Sequence, residues 1–255
     1  MSLDDPVLAT QTEAAPASAG MSHRFACFVT GTDTEIGKTL TSAALLHALV
    51  RTGVRACGMK PVAAGAELRD GVWHNDDADR LGAAGNVGML ASLTTPYLFK
   101  EAAAPHIAAA LEGRLIESVP ILAAYTEIAA ACDAVVVEGV GGFRVPLAPG
   151  FDTADLARQL DLPVLLVVGL RLGCINQALL TAEAIVARGL VLAGWVANEL
   201  ETPMNFADEN IAALLELLPA PLLGRVPRLA QPSAAGAAAH LNFSCLPNWP
   251  GHHTQ

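Results

Sequence analysis

Between about residue 24 and residue 230, short apolar runs alternate with longer stretches whose apolar positions return every three or four residues. The runs predict strands over 24–30, 55–61, 134–138, 163–169, 191–198 and 222–226. They are strand-length, rich in branched aliphatic side chains and bounded by Gly, Pro or charge. Amphipathic helical stretches begin between them at Lys38, Val119, Thr153, Ile175 and Asn205. Regular alternation of this kind predicts an α/β fold of the P-loop NTPase type. Its sheet should be mostly parallel, with right-handed crossovers, helices on both faces and a ligand site at the carboxyl ends of the strands. The longest region without a readable period is 63–96.

No internal repeat or interdomain linker interrupts the pattern, so a single domain over 21–245 is expected. Residues 1–20 are dominated by Ala, Pro, Ser and Thr, with no basic residue and no long apolar core. Neither a secretory signal nor a transit peptide is expected from such a segment, but a disordered leader is, with Met21 as an alternative start. Residues 246–255 are expected to be a flexible tail, with His252 and His253 solvated rather than holding metal.

Composition narrows the class. A hydrophobic share of 53% and a mean hydropathy of +0.42 raise the question of a membrane. However, no run approaches the roughly 20 apolar residues a spanning helix needs, so no membrane partner is expected. Fifteen basic against 25 acidic residues give a net charge of −10, which argues against a nucleic-acid surface. Cys27, Cys57, Cys132, Cys174 and Cys245 are odd in number and lack paired spacing, as expected of reduced thiols in a cytoplasm.

The chemistry concentrates in FACFVTGTDTEIGKTL, residues 25–40, where an apolar run enters a glycine-bracketed loop ending Gly37-Lys38-Thr39. Such a loop aims backbone N–H groups and a helix N-terminus at one point, which suits a nucleotide polyphosphate. Lys38 would reach the β- and γ-phosphates and the Thr39 hydroxyl would take Mg2+. The first glycine of the usual spacing falls on Thr32, with Gly31 one residue upstream. Glu138, after the run AVVV, stands where a second metal-facing acid belongs. Asp77 is the best further carboxylate among Asp76, Asp77 and Asp79, although three acids also suit the solvated first turn of a helix. Lys60 closes an apolar run; an ammonium there is too costly to bury unpaired, so it should face an anion site or reach solvent.

Taken in order, GTDTEIGKT, GMKPVAAG, NDDADRL, VVVEGVGG, VVGLRLGCINQALLTAEAI, GWVANE and PAPLLGRVP resemble the dethiobiotin synthetases, over about residues 24 to 230. The resemblance implies ATP- and Mg2+-dependent ring closure of 7,8-diaminononanoate with CO2, through a carbamate and a carbamic-phosphoric anhydride. It assigns Asp33, Thr34, Glu35, Ile36, Gly37, Lys38 and Thr39 to the nucleotide, with Thr34, Lys38 and Lys60 catalytic. Thr39, Asp77 and Glu138 would hold Mg2+. Gly139, Val140 and Gly141 would approach the phosphates, while Asn198, Glu199, Val226, Pro227 and Arg228 would surround the adenine. Lys60 would orient the carbamate, and Gly173, Cys174, Ile175 and Asn176 would hold the substrate carboxylate across a homodimer interface. Two positions depart from the family pattern: Ala64, where a serine is common, and Arg228, where an apolar or aromatic residue can stand. The rival class is a partitioning or positioning ATPase switch, but Thr32 occupies the place of its second lysine, and no basic amphipathic tail follows Gln231. An amidotransferase synthetase is disfavoured because fewer than thirty residues follow Val226.

Overall fold

The computed structural model describes residues 24–200 and 202–250; the expected leader, Met21 and the His252-His253 pair lie outside them. The first third of the chain forms β1 (Phe25–Gly31), α1 (Lys38–Arg51), β2 (Ala56–Met59), β3 (Val62–Ala64), β4 (Glu67–Arg69), β5 (Val72–His74), α2 (Asp76–Ala84) and α3 (Ala91–Thr94). Next come β6 (Tyr97–Phe99), α4 (Pro105–Leu111), α5 (Ser118–Ala131), β7 (Ala134–Glu138), β8 (Pro146–Ala148), β9 (Phe151–Asp152) and α6 (Thr153–Leu160). The order ends with β10 (Val164–Leu170), α7 (Cys174–Ala187), β11 (Leu192–Glu199), α8 (Ala207–Leu217), β12 (Leu222–Val226) and α9 (Ala234–Ala238).

Six strands form one sheet in the order β12-β11-β10-β1-β7-β2, every pair parallel. Both faces are covered, which is why these strands read as continuous apolar runs rather than alternating ones. In β10 every residue is buried. Val164, Leu166 and Val168 enter the core that includes Ile121, Ile128 and Ile185, while Leu165 and Val167 enter the opposite one with Leu45, Leu46 and Leu49 of α1. Each such side chain contributes about 1.5 to 3 kcal/mol by leaving water, so a polar residue on either face of β10 would be severe.

The region 63–96 corrects the expectation of irregular structure. It holds β3, which pairs with β6 outside the main sheet, a β4–β5 hairpin, and helices α2 and α3. The hairpin turns on Asp70 and Gly71, both at positive φ, 51° and 81°, as a tight two-residue turn requires. Its strands are three residues each, too short to print a period. The tail expected from 246 also differs over its first residues. Leu246 is buried, and Trp249 stacks on Phe243 at 5.7 Å and meets the Phe25 ring edge-on at 5.6 Å. The apolar rings of Phe25 and Trp249 are reason enough for this end to dock on the core.

Candidate active site

Three neighbouring strands of the sheet, β1, β7 and β2, end at the same edge, and each delivers a polar group there. β1 delivers the loop 32–37, β2 is followed by Lys60, and β7 ends on Glu138. The loop passes straight into α1 through Gly37, at φ +91°. A β-carbon at Gly37 would lie 2.3 Å from Asn198 Nδ2, so this turn needs glycine for both its conformation and its space. Gly31 is needed for a different reason: its β-carbon would meet the Ile36 side chain at 2.7 Å and that of Lys38 at 3.1 Å. The glycine displaced by one place from the usual spacing thus lets Lys38 fold back across the strand end.

Lys60 is buried, and its ammonium is matched. Nζ lies 2.6 Å from Glu138 Oε1 and 3.1 Å from Asp77 Oδ2, and it donates to Gly139 O at 3.1 Å. Burial works against the charged form, yet Glu138 and Asp77 hold its pKa above the ordinary lysine range. Lys60 is therefore a fixed cation rather than a base. Lys38 is the opposite case: burial, then the charge of Lys60, bring it down to about 8, with Glu138, Asp77 and Asp33 pulling the other way. Its Nζ donates to Asp33 O at 2.6 Å.

Asp77 reaches the site because Asn75 caps α2. The Asn75 side chain accepts from the N–H groups of Asp77 and Ala78 and donates to Ala64 O, fixing both the start of the helix and its place beside β3. The helical phase then divides the three acids. Asp76 and Asp79, three residues apart, face Arg69, with His74 beside Asp79, whereas Asp77 turns toward Thr39 and Lys60. Burial would raise the Asp77 carboxyl, but Lys60 and the Thr39 hydroxyl hold it below the usual carboxylate range.

Thr39 Oγ1 stands 2.6 Å from Asp77 Oδ1 and 2.9 Å from Glu138 Oε1. One hydroxyl proton serves only one of these oxygens. Glu138 Oε2 is buried without any hydrogen-bond partner. Both shortfalls are of positive charge, so the donor set of one hydroxyl and two carboxylates fits a hard, oxygen-seeking cation. Among the described residues no cluster of three or more His, Cys, Asp or Glu could hold a metal. A cation here would take its remaining ligands from phosphate oxygens and water.

A cavity of about 910 Å³ opens over this cluster, lined by Thr34, Glu35, Gly37, Lys38, Thr39, Lys60, Asp77, Val140 and Gly141. Ile36 is buried within the loop, Asp33 stands half-exposed at its rim, and neither they nor Glu138 and Gly139 line the cavity itself. Asn198 touches the loop from behind, donating from Nδ2 to Ile36 O at 2.9 Å; it shares its register position with Val226, the last residue of β12 before Pro227. Glu199 accepts from Arg225 Nε at 2.7 Å and from the Arg228 N–H at 3.4 Å, tying that turn to β11. Gly173, Cys174, Ile175 and Asn176 open α7 and do not line this cavity. Ala64 lines it without a hydroxyl to offer. Sequence reasoning missed Asn75 and Arg80, which also line it; three residues after Asp77 on the same helix, Arg80 had to share its face.

A family model described as an AAA domain matches residues 26–235. The chain is 62% identical over 234 residues to the ATP-dependent dethiobiotin synthetase BioD of Janthinobacterium sp. (strain Marseille), a match covering 90% of this chain and 99% of that protein. The chain belongs to the dethiobiotin synthetase family. Solved structures of similar fold include a ParA family ATPase from Chlorobium tepidum TLS, at TM-score 0.53 and 13% identity over 85% of this chain and 91% of that one. The MinC:MinD cell division protein complex of Aquifex aeolicus matches at TM-score 0.50 and 15% identity, over 86% and 87%. At such identities these place the dethiobiotin synthetase fold among the P-loop NTPases and say nothing of activity.

Proposed function

We propose that this chain closes the ureido ring of dethiobiotin from 7,8-diaminononanoate, CO2 and ATP, releasing ADP and phosphate. The identity to BioD supports the reaction. The structural observation that carries it is Lys60: a second buried ammonium, facing the same cavity as Lys38 and held by Glu138 and Asp77. Lys38 suits the transferred phosphoryl group. Lys60 suits an anionic nucleophile beside it, which a simple hydrolytic switch does not need.

In this reading an amine of the substrate takes up CO2 and loses a proton to give a carbamate. The Lys60 ammonium orients that carbamate, and a carbamate oxygen attacks the γ-phosphorus as ADP leaves. The second amine then attacks the carbamoyl carbon, phosphate departs and the ring closes. Thr34 and the loop N–H groups steady the phosphates, and Lys38 neutralises charge on the group in transit. Thr39, Asp77 and Glu138 would hold Mg2+, which when bound offsets the negative charge of the β- and γ-phosphates. The Asn198 amide nitrogen is committed to Ile36, which leaves its Oδ1 to accept from the adenine amino group. Val226, Pro227, Arg228 and Glu199 would flank the base, and Gly139, Val140 and Gly141 the phosphates.

We further propose a homodimer in which the α7 start, Gly173 to Asn176, holds the substrate carboxylate of the neighbouring subunit's site. Leu172 beside it is 95% exposed and Leu180 on α7 is 57% exposed, an apolar face suited to a partner. No helix among the described residues is long and apolar enough to cross a membrane. The five free cysteines favour a cytoplasmic setting.

The test is incorporation of labelled bicarbonate into dethiobiotin from 7,8-diaminononanoate and MgATP. Folded protein that binds MgATP yet forms no labelled product would refute the reading.

A further inference from the structure

The stretch Asp33 to Glu35 is the exposed lip of the phosphate loop. Glu35 sits at φ +58°, a left-handed conformation that an ordinary side chain adopts at a cost. Asp33 does three things there. Its carbonyl accepts the Lys38 ammonium at 2.6 Å, its Oδ1 accepts the Thr34 N–H at 2.8 Å, and its Oδ2 is paired with the guanidinium of Arg171. Arg171 is 138 residues away in sequence, on the connection between β10 and α7. Among the described residues it makes the one salt bridge to Asp33, with the Lys38 charge adding attraction from further off, and Glu35 has no salt bridge.

We propose that Arg171 is a positioning residue for ATP. By holding the Asp33 carboxylate it fixes the carbonyl on which Lys38 rests, and it cancels a negative charge that otherwise stands at the lip where the triphosphate must pass. The inference rests on the reading of Lys38 and the loop as the ATP site, and it concerns a side chain that does not line the cavity.

Surface exposure separates this role from a structural one. The pair is 45% and 43% exposed, and ion pairs so placed contribute little to stability. Removing the guanidinium should therefore leave thermal unfolding almost unchanged. Binding is another matter, because the freed Asp33 carboxylate repels an incoming polyanion. At the screened distances of a loop lip one added like charge weakens binding by roughly five- to tenfold.

The experiment measures MgATP affinity by calorimetry and steady-state kinetics for the wild type, Arg171→Ala, Arg171→Lys and the double variant Asp33→Asn with Arg171→Ala. In Arg171→Ala the ATP Kd and KM should both rise about five- to tenfold, with the diamine KM changed less than twofold and Tm within roughly 2 °C of wild type. Arg171→Lys should recover part of the loss. Asp33→Asn should also recover part, because asparagine keeps the oxygen that accepts from Thr34 while removing the charge. The proposal is overturned if Arg171→Ala keeps the wild-type ATP Kd and KM. It is equally overturned if Tm falls steeply while both substrates' KM values rise together, or if Asp33→Asn recovers nothing. Calorimetry needs no turnover, so a wild type that binds ATP and makes no dethiobiotin would refute the reaction while leaving the Arg171 test standing.

Discussion

Replacing Lys60 by methionine keeps the length and apolar stem of the side chain and removes its charge from between Glu138 and Asp77. The Glu138 carboxylate is fully buried, has one oxygen without a partner, and loses a 2.6 Å ammonium contact. Asp77 is 42% exposed on its side chain and can turn to water, so the cost falls on Glu138. Breaking a buried pair from one side costs about 3 to 5 kcal/mol. For a domain of this size each kcal/mol moves Tm by about 2 to 4 °C, so a fall of roughly 6 to 20 °C is expected in EDTA. Excess Mg2+ should restore much of it, because the cation supplies positive charge to the same Glu138 and Asp77 carboxylates; at a hundred times its Kd a ligand adds about 2.7 kcal/mol. Adding Glu138→Gln should also restore stability, since a pair removed whole costs far less than a pair broken. The assay is thermal unfolding of the three proteins with EDTA and with Mg2+, beside a turnover assay in which Lys60→Met is inactive although MgATP still binds. A drop below about 2 °C in EDTA, or equal stabilisation of wild type and variant by Mg2+, would refute the account of Lys60 as counter-charge to the Glu138 and Asp77 carboxylates.

With Lys38 resting at about 8 in the free protein, the side chain is largely neutral above that pH, and a polyphosphate favours its ammonium. ATP binding at pH 8.5 should take up a proton that is not taken up near pH 7. Calorimetry in buffers of different ionisation heat measures this, and equal uptake by Lys38→Met would sink the assignment. Gly37→Ala forces an L-residue into φ +91° and drives a β-carbon against Asn198. Strain and the lost bond to Ile36 should together cost about 2 to 3 kcal/mol; denaturant unfolding showing less than about 1 kcal/mol would contradict this. If the active sites are shared between subunits, inactive Lys60→Met and an inactive Asn176 variant should regain part of their activity when unfolded and refolded together, because one of the two sites in a mixed dimer inherits neither lesion. Full exchange, verified by mass, without recovery would place both residues in one subunit's site.

The six main strands were readable because each is an apolar run buried on two faces, with β10 the extreme case. The short pieces were not: a three-residue strand such as β3 or β4 has no room for a period, and β3 is fixed by pairing with β6. In the site, Lys38 and Thr39 follow from the loop, and Lys60 from the cost of an unpaired ammonium at a strand end. The sequence favours Asp77 over Asp76 and Asp79, but the geometric reason lies in the start of α2. Once Asn75 is seen as its cap, Asp76 and Asp79 share one face and Asp77 falls on another with Arg80. Nothing in the spacing could pair Arg171 with Asp33, since only the β1–β10 contact brings their loops together.

The strand that carries the phosphate loop sits in the middle of the sheet, and both its neighbours come from far downstream. β1 pairs with β7 from residue 134 and with β10 from residue 164, and among the described residues β2 pairs only with β7. A ribosome making this chain therefore releases Phe25–Gly31 and Ala56–Met59 well before any strand exists to cover them. Parallel pairing across such separations must meet the entropy of loop closure first and is slow. Until β10 emerges, the apolar side chains of these strands are open to chaperones, proteases and one another. A nascent chain arrested near residue 130 should be cut readily within β1 and β2. Although its motif is translated ahead of both strands that flank it, the ATP site cannot bind until those strands have emerged.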